Sequence, residues 1–122
     1  MKIYSFEKLT VWQKARKLSV IIYKTTHQFP KDELFGLTSQ MRRCSISISS
    51  NIAEGTGRHS PKDKARFTEI AYGSALELLN QTIISNDLGF INQDGFTAIR
   101  NEIDEITAML DTLYKSQLKL NS

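Results

Sequence analysis

The sequence predicts an all-α fold, an antiparallel up-down-up-down four-helix bundle. Three observations point there. Four segments repeat apolar residues at steps of three and four, short turn-rich stretches separate them, and the one alternating run sits inside a longer helical repeat.

The first helix is expected to start at Thr10, where Thr10 and Gln13 have the spacing of a capping box. Val11, Ala15, Leu18, Ile22 and Thr25 then mark one face, and Phe29-Pro30 closes it, because proline disfavours helical geometry in the residue before it. The preceding stretch, with Ile3, Tyr4 and Phe6, is apolar enough to dock on the bundle. In the second helix Ser45-Ile46-Ser47-Ile48-Ser49 alone would read as a strand. The wider spacing of Leu34, Leu37, Met41, Cys44, Ile48 and Ile52 places one stripe on a helix from about Asp32 to Glu54. Gly55 and Gly57 are expected to end it in a left-handed turn.

The third helix starts with Ser60 as cap, Pro61 at its first position and Asp63 in an acidic first turn, and runs to about Leu88, before Gly89. Its apolar residues exceed one stripe. Ala65, Tyr72, Ala75, Leu76, Leu79 and Ile83 gather on one side; Phe67, Ala71 and Leu78 lie a quarter-turn or more away, with Ile70 further round. The fourth opens near Asn92 and carries Phe96, Ile99, Ile103, Ile106, Leu110 and Leu113, with an acidic outer face. Short connections imply antiparallel neighbours, and nothing divides residues 1–122 into more than one domain.

The length of 122 residues suits a single core, no apolar run approaches the ~20 residues of a membrane span, and no signal-peptide core opens the chain. A lone cysteine, Cys44, forms no internal disulfide and suits a reducing compartment, so a cytoplasmic protein is expected. The net charge of +3 hides a division. Residues 1–66 hold 13 Lys/Arg against 5 Asp/Glu, whereas residues 67–122 hold 3 against 8. Such asymmetry fits an acidic partner or complementary packing between subunits.

Catalytic and metal chemistry find little support. A helical di-metal site needs Glu-x-x-His pairs, but Lys24 and Thr56 stand three residues before His27 and His59. No metal or other cofactor is expected. Glu102 and Glu105 have the spacing of magnesium ligands, with Glu69 and Glu77 as candidate companions; an exposed acidic face explains them more simply. Serines are abundant, but no base accompanies them. The loop Gly55-Thr56-Gly57-Arg58-His59-Ser60 leads into a helix start rich in Lys62, Lys64 and Arg66, which suits a phosphate but lacks the P-loop pattern. Phe35 and Ile46 share a face with Arg42, an apolar strip flanked by arginines and amides that reads as a subunit interface. Ser45 and Ser49 are small enough for close helix approach, with Gly73 and Ser74 as counterparts on the third helix.

The blocks Phe6–Ala15, Phe29-Pro30, Gly36–Arg43, Ser50–Arg58 and Ile70–Ser74, in this order, resemble the four-helix-bundle proteins encoded in intervening sequences of 23S ribosomal RNA genes. The resemblance covers nearly the whole chain, and Asn51, Glu54, Gly55 and Gly57 belong to its signature. It implies a homopentamer with no established enzymatic activity. A similar fold serves as the accessory protein of diversity-generating retroelements, a basic pentamer that binds its reverse transcriptase.

The expected role is a non-enzymatic homo-oligomer, a pentamer by that resemblance, presenting basic surface to RNA, DNA or a reverse-transcriptase-like protein, with no membrane partner. Lys14, Arg16, Lys17, Lys24, Arg42, Arg43, Arg58, Lys62, Lys64 and Arg66 are the candidate nucleic-acid contacts. Phe35, Ile46, Tyr72, Leu76, Leu79 and Ile83 are the candidate interface. The alternative is an interaction scaffold whose charge asymmetry serves subunit assembly alone.

Overall fold

The computed structural model describes residues 1–119. Four helices, α1 (Thr10–Thr26), α2 (Ser39–Thr56), α3 (Pro61–Asp87) and α4 (Gln93–Lys119), form an all-α up-down bundle, with no strand among the described residues. Each helix packs on its neighbour in sequence, and α1 closes the ring against α4. Leu18, Ile22, Met41, Ile48, Leu78, Ile99, Ile103 and Ile106 are fully buried in one hydrophobic cluster fed by all four helices. The three–four spacing therefore identifies the core faces of α1, α2 and α4.

The entry to α1 differs from the expected capping box. Leu9, not Thr10, is the N-cap and offers no side-chain acceptor. Gln13 instead sends its side-chain amide back to the Glu7 carbonyl at 2.9 Å. Reciprocal bonding occurs one turn earlier, in a 3₁₀ turn over Ser5–Lys8: the Glu7 carboxylate accepts the Tyr4 N–H at 2.7 Å, and the Tyr4 carbonyl accepts the Glu7 N–H at 3.1 Å. This turn packs on α1 and α2.

The start of α2 is a second correction. Lys31–Glu33 form a 3₁₀ turn and Leu34–Thr38 a π-helical turn, and the α-helix begins only at Ser39. Gly36 breaks the run with φ −111° and ψ −117°, outside helical space. The Glu33 carboxylate satisfies the freed Leu37 N–H at 3.2 Å. A Cβ on Gly36 would stand 2.8 Å from that carboxylate oxygen, so glycine admits the contact. Leu34 consequently lies outside the core, whereas Leu37 packs against it.

The end of α2 is a third. Gly55 lies inside the helix and is buried. A Cβ there would meet the Phe67 Cβ at 2.9 Å and the Lys64 carbonyl at 3.4 Å, so this glycine lets α3 approach. Gly57 caps the helix with φ −85°, a right-handed conformation, and the left-handed turn expected of the pair is absent. α3 begins as predicted, the Ser60 hydroxyl accepting the Asp63 N–H at 3.0 Å with Pro61 at the first position. It ends in a Schellman-like turn, where Gly89 has φ 80° and the Phe90 N–H reaches back to the Ser85 carbonyl at 2.9 Å. Asn92 opens α4 by accepting the Gly95 N–H at 2.8 Å.

α3 is unlike the other three helices. Its buried side is built from small and polar residues, Ala65, Thr68, Ala71, Ala75, Gln81, Thr82 and Ser85, around Leu78. Ile70, Tyr72, Leu76 and Ile84 point outward. Small residues let α2 and α4 approach closely, and the large apolar ones are left for solvent or another surface.

Candidate nucleic-acid interface

The ten candidate cations separate into two groups. Four are engaged inside the fold. Lys14 bridges α1 to α4, reaching Glu102 at 3.4 Å and also Glu105. Its hydrogen bond to Glu105, helped by the Glu102 charge, holds its pKa above the ordinary 10.5 against the opposing effect of burial. Arg42 joins α2 to the end of α1: Nε donates to the Thr26 hydroxyl at 2.9 Å, Nη2 donates to the Tyr23 carbonyl at 3.4 Å, and the guanidinium stacks 4.7 Å from the Tyr23 ring. That position satisfies a helix C-terminus, where cations are favoured. Arg58 pairs with Glu54 at 3.3 Å and covers the Phe67 ring at 4.5 Å. Lys64 donates to the Thr56 carbonyl at 2.9 Å, bracing the end of α2 from α3. Arg16 lies 5.5 Å from the Trp12 ring centre and is otherwise exposed. Lys17, Lys24, Arg43, Lys62 and Arg66 are exposed and have no ion pair among the described residues.

The glycine-rich turn uses several of its backbone donors internally. The N–H groups of Gly57, Arg58, Asp63 and Lys64 all donate within the turn, to Glu54, Gly55 and Ser60. The signature residues account for its shape. Asn51 donates to the Ser47 carbonyl at 2.8 Å and its hydroxyl at 3.0 Å, Glu54 holds Arg58, and Gly55 admits Phe67. Serine contact across α2 and α3 also runs through an unexpected residue. Ser47, rather than Ser45 or Ser49, meets Ser74 at 2.9 Å. Ser45 and Ser49 bond back to their own helix, and a Cβ on Gly73 would meet nothing within 4 Å.

Among the candidate interface residues, Phe35 is 91% exposed, Leu76 48%, Ile46 43% and Tyr72 36%. Leu79 and Ile83 are half-buried, Leu79 packing on the core. The Glu102–Glu105 pair is occupied by Lys14, and among the described residues no three His, Cys, Asp or Glu side chains come together as a metal site. His27 and His59 are exposed.

Two features escaped the sequence reading. A cleft between α2 and α3 is lined by Gln40, Arg43, Cys44, Ser47, Glu77 and Gln81. Burial first, and then the Glu77 carboxylate, push the Cys44 thiol from 9.0 up to about 11, so it is neutral and weakly nucleophilic at pH 7. Gln81 is 5% exposed and its Oε1 has no hydrogen-bond partner among the described residues. The second is an aromatic cluster at the N-terminus. Tyr4 stacks on Phe6 at 6.3 Å and Phe6 meets Trp12 edge-on at 5.0 Å, with Lys2 over Tyr4 at 4.7 Å and Arg16 over Trp12. The alternation of aromatic and basic residues from Lys2 to Lys17 was its signal.

Fold and surface together define a small helical bundle in which, among the described residues, no helix is long and apolar enough to cross a membrane. Residues 7–112 match the family described as 23S rRNA-intervening sequence protein, and the chain belongs to that family. It is similar to a Bacteroides thetaiotaomicron protein of unknown function from the S23 ribosomal protein family, known from a crystal structure. The two share 25% identity and a TM-score of 0.79 over 87% of this chain and 99% of the other. No curated protein matches the chain.

Proposed function

We propose that this chain acts as a non-enzymatic homo-oligomer, a pentamer by the family likeness, whose unengaged cations face nucleic acid or a nucleic-acid-handling protein. The observation that carries this reading is the outer surface of α3, where Ile70, Tyr72, Leu76 and Ile84 remain exposed on a helix whose opposite side is already in the core. Tyr72 and Leu76 lie one turn apart, and exposed apolar side chains gathered in this way mark an interaction site. With one copy of the chain in each subunit, Lys17, Lys24, Lys62 and Arg66 repeat around the assembly and add avidity. Light scattering should give a mass several times 13.9 kDa, and Leu76→Glu with Tyr72→Glu should lower it. Structured RNA and single-stranded DNA should bind with an affinity that falls steeply with salt. A monomer at micromolar concentration, or equal affinity at low and high salt, refutes the corresponding half of the proposal.

The second reading is an assembly scaffold in which basic and acidic halves of adjacent copies pair. The Lys14 bridge to Glu102 and Glu105 favours it in one respect, since it shows such pairing between the halves of a single chain. Assembly that loosens at high salt, with no nucleic acid bound, selects it.

A further inference from the structure

The proposal above leaves open where on the surface a nucleic acid would sit, and the basic turn is a poor candidate because Arg58 and Lys64 are engaged there. We infer that single-stranded nucleic acid seats in the groove between the N-terminal segment and α1, with a base on Trp12 and phosphates on Arg16 and Lys17, and continues past Ile3 to Tyr4 and Lys2 next to it. This inference rests on the nucleic-acid reading and narrows it to one surface.

The groove measures about 700 Å³, room for more than one base, and its walls include Ile3, Trp12, Arg16, Lys17 and Val20. Ile3 and Val20 are both more than half exposed, so the apolar wall is left uncovered by the described residues. Its charge is one-sided. Glu7 is the acid in the lining, and its carboxylate is turned inward onto the Tyr4 N–H. Among the described residues Lys17 has no ion-pair partner, and the contacts of Arg16 and Lys2 are with rings.

The distribution of rings and cations selects the occupant. Each outer ring of the cluster is paired with a cation, Tyr4 with Lys2 and Trp12 with Arg16. Surfaces that bind single strands without sequence readout combine flat π-faces for bases with cations that follow the backbone. An acidic amphipathic helix would use the cations and Val20 but gains nothing from flat ring faces paired with cations. A duplex keeps its bases stacked on each other and would reach only the cations. The groove thus fits an anion with regularly spaced planar groups.

Trp12 is the single tryptophan of the chain and lines the groove, so its emission reports on the site. The full-length protein is titrated with a dye-labelled single-stranded oligonucleotide, anisotropy reporting binding and Trp12 emission reporting place. Binding should quench Trp12, and a duplex of equal length should quench it less. Tyr4→Ala should weaken binding about tenfold, the order of one lost stacked base. Arg16→Glu should weaken it as much or more and flatten the salt dependence. Lys62→Glu, outside the groove lining, should leave Trp12 quenching intact. Normal affinity in Tyr4→Ala and Arg16→Glu, with Trp12 emission unmoved, overturns the groove while leaving nucleic-acid binding in place. No binding by any oligonucleotide overturns the broader reading and this one with it. Loss of oligomer mass in Arg16→Glu, seen by light scattering, would assign the groove to a second copy and overturn the proposal.

Discussion

At the turn between α2 and α3, Lys64 braces the Thr56 carbonyl and Arg58 lies between Glu54 and the Phe67 ring. On the outer face of α1, among the described residues, Arg16 contacts the Trp12 ring and Lys17 has no ion-pair partner. Both regions look alike in sequence, each a short stretch dense in lysine and arginine. They differ in what surrounds the charge. Around the turn, backbone carbonyls and a carboxylate lie within reach, and they hold the cations inward. Along α1 most neighbours are rings and aliphatic side chains, and the Glu7 carboxylate there is bonded to the Tyr4 N–H, which leaves the charge available to an outside anion. A basic composition therefore says that a surface can attract anions, and the local acceptors decide which cations remain free to do so.

The largest expected effect tests how tightly the turn is built. Gly55→Val places a branched side chain where a Cβ already stands 2.9 Å from the Phe67 Cβ, an atom fixed to its backbone. The two helices must separate, at a cost of about 2–3 kcal/mol. Lys64 would lose its reach to Thr56 in the process. Gly73→Ala, in open space on the same helix pair, should instead stabilise the protein by ~1 kcal/mol through helix propensity. Urea midpoints at unchanged slope measure both. Equal midpoints for the two variants would show that Gly55 is not a close-approach residue.

The next contrast lies within one dipeptide. Arg42 is bonded to Thr26 and Tyr23 at the end of α1, whereas its neighbour Arg43 is exposed in the α2–α3 cleft. Arg42→Ala should cost about 1–2 kcal/mol, from charge-assisted hydrogen bonds and a helix terminus left without its cation. Arg43→Ala should fall within about 0.5 kcal/mol of the parent, as exposed substitutions do. Thermal melts decide the matter, and comparable losses in both variants would erase the distinction between engaged and free cations.

These pairs also show what could be read in advance. Periodicity located the buried faces of α1, α2 and α4, because Val11, Leu18, Ile22, Met41, Ile48, Ile99 and Ile106 each repeat the spacing of their helix. Ser60, Pro61 and Gly89 placed the ends of α3, since caps act through adjacent residues. Gly36 and Gly55 could not be placed the same way. One breaks a helix and the other sits inside one, a difference set by the approach of Glu33 and Phe67. The candidate cations divided for a similar reason. Lys14 and Lys17 are indistinguishable along the chain, and only the position of α4 puts Glu102 and Glu105 beside the first. The aromatic cluster joins Tyr4 and Phe6 to Trp12 through the 3₁₀ turn at Ser5–Lys8, a short element that no helical repeat announces.

The smallest effect sharpens that last pair. Lys14 has a raised pKa in the folded chain, through its hydrogen bond to Glu105 and the charge of Glu102. The folded state therefore holds the proton more tightly than the unfolded state, and the bridge stabilises fully only while both states carry it, below the unbound value of 10.5. As pH rises past the raised value the contribution disappears. Lys14→Gln should thus unfold more easily than the parent at pH 8, and the gap should close as pH climbs above 10.5. Lys17→Gln should match the parent at both pH values, because no acidic partner holds that lysine among the described residues. Added salt should shrink the Lys14 effect, since the pair is partly open to solvent and screened by mobile ions. A gap at pH 8 that survives molar salt and high pH unchanged would mean that Lys14 acts through its aliphatic packing, and the charge-based separation of Lys14 from Lys17 would fail.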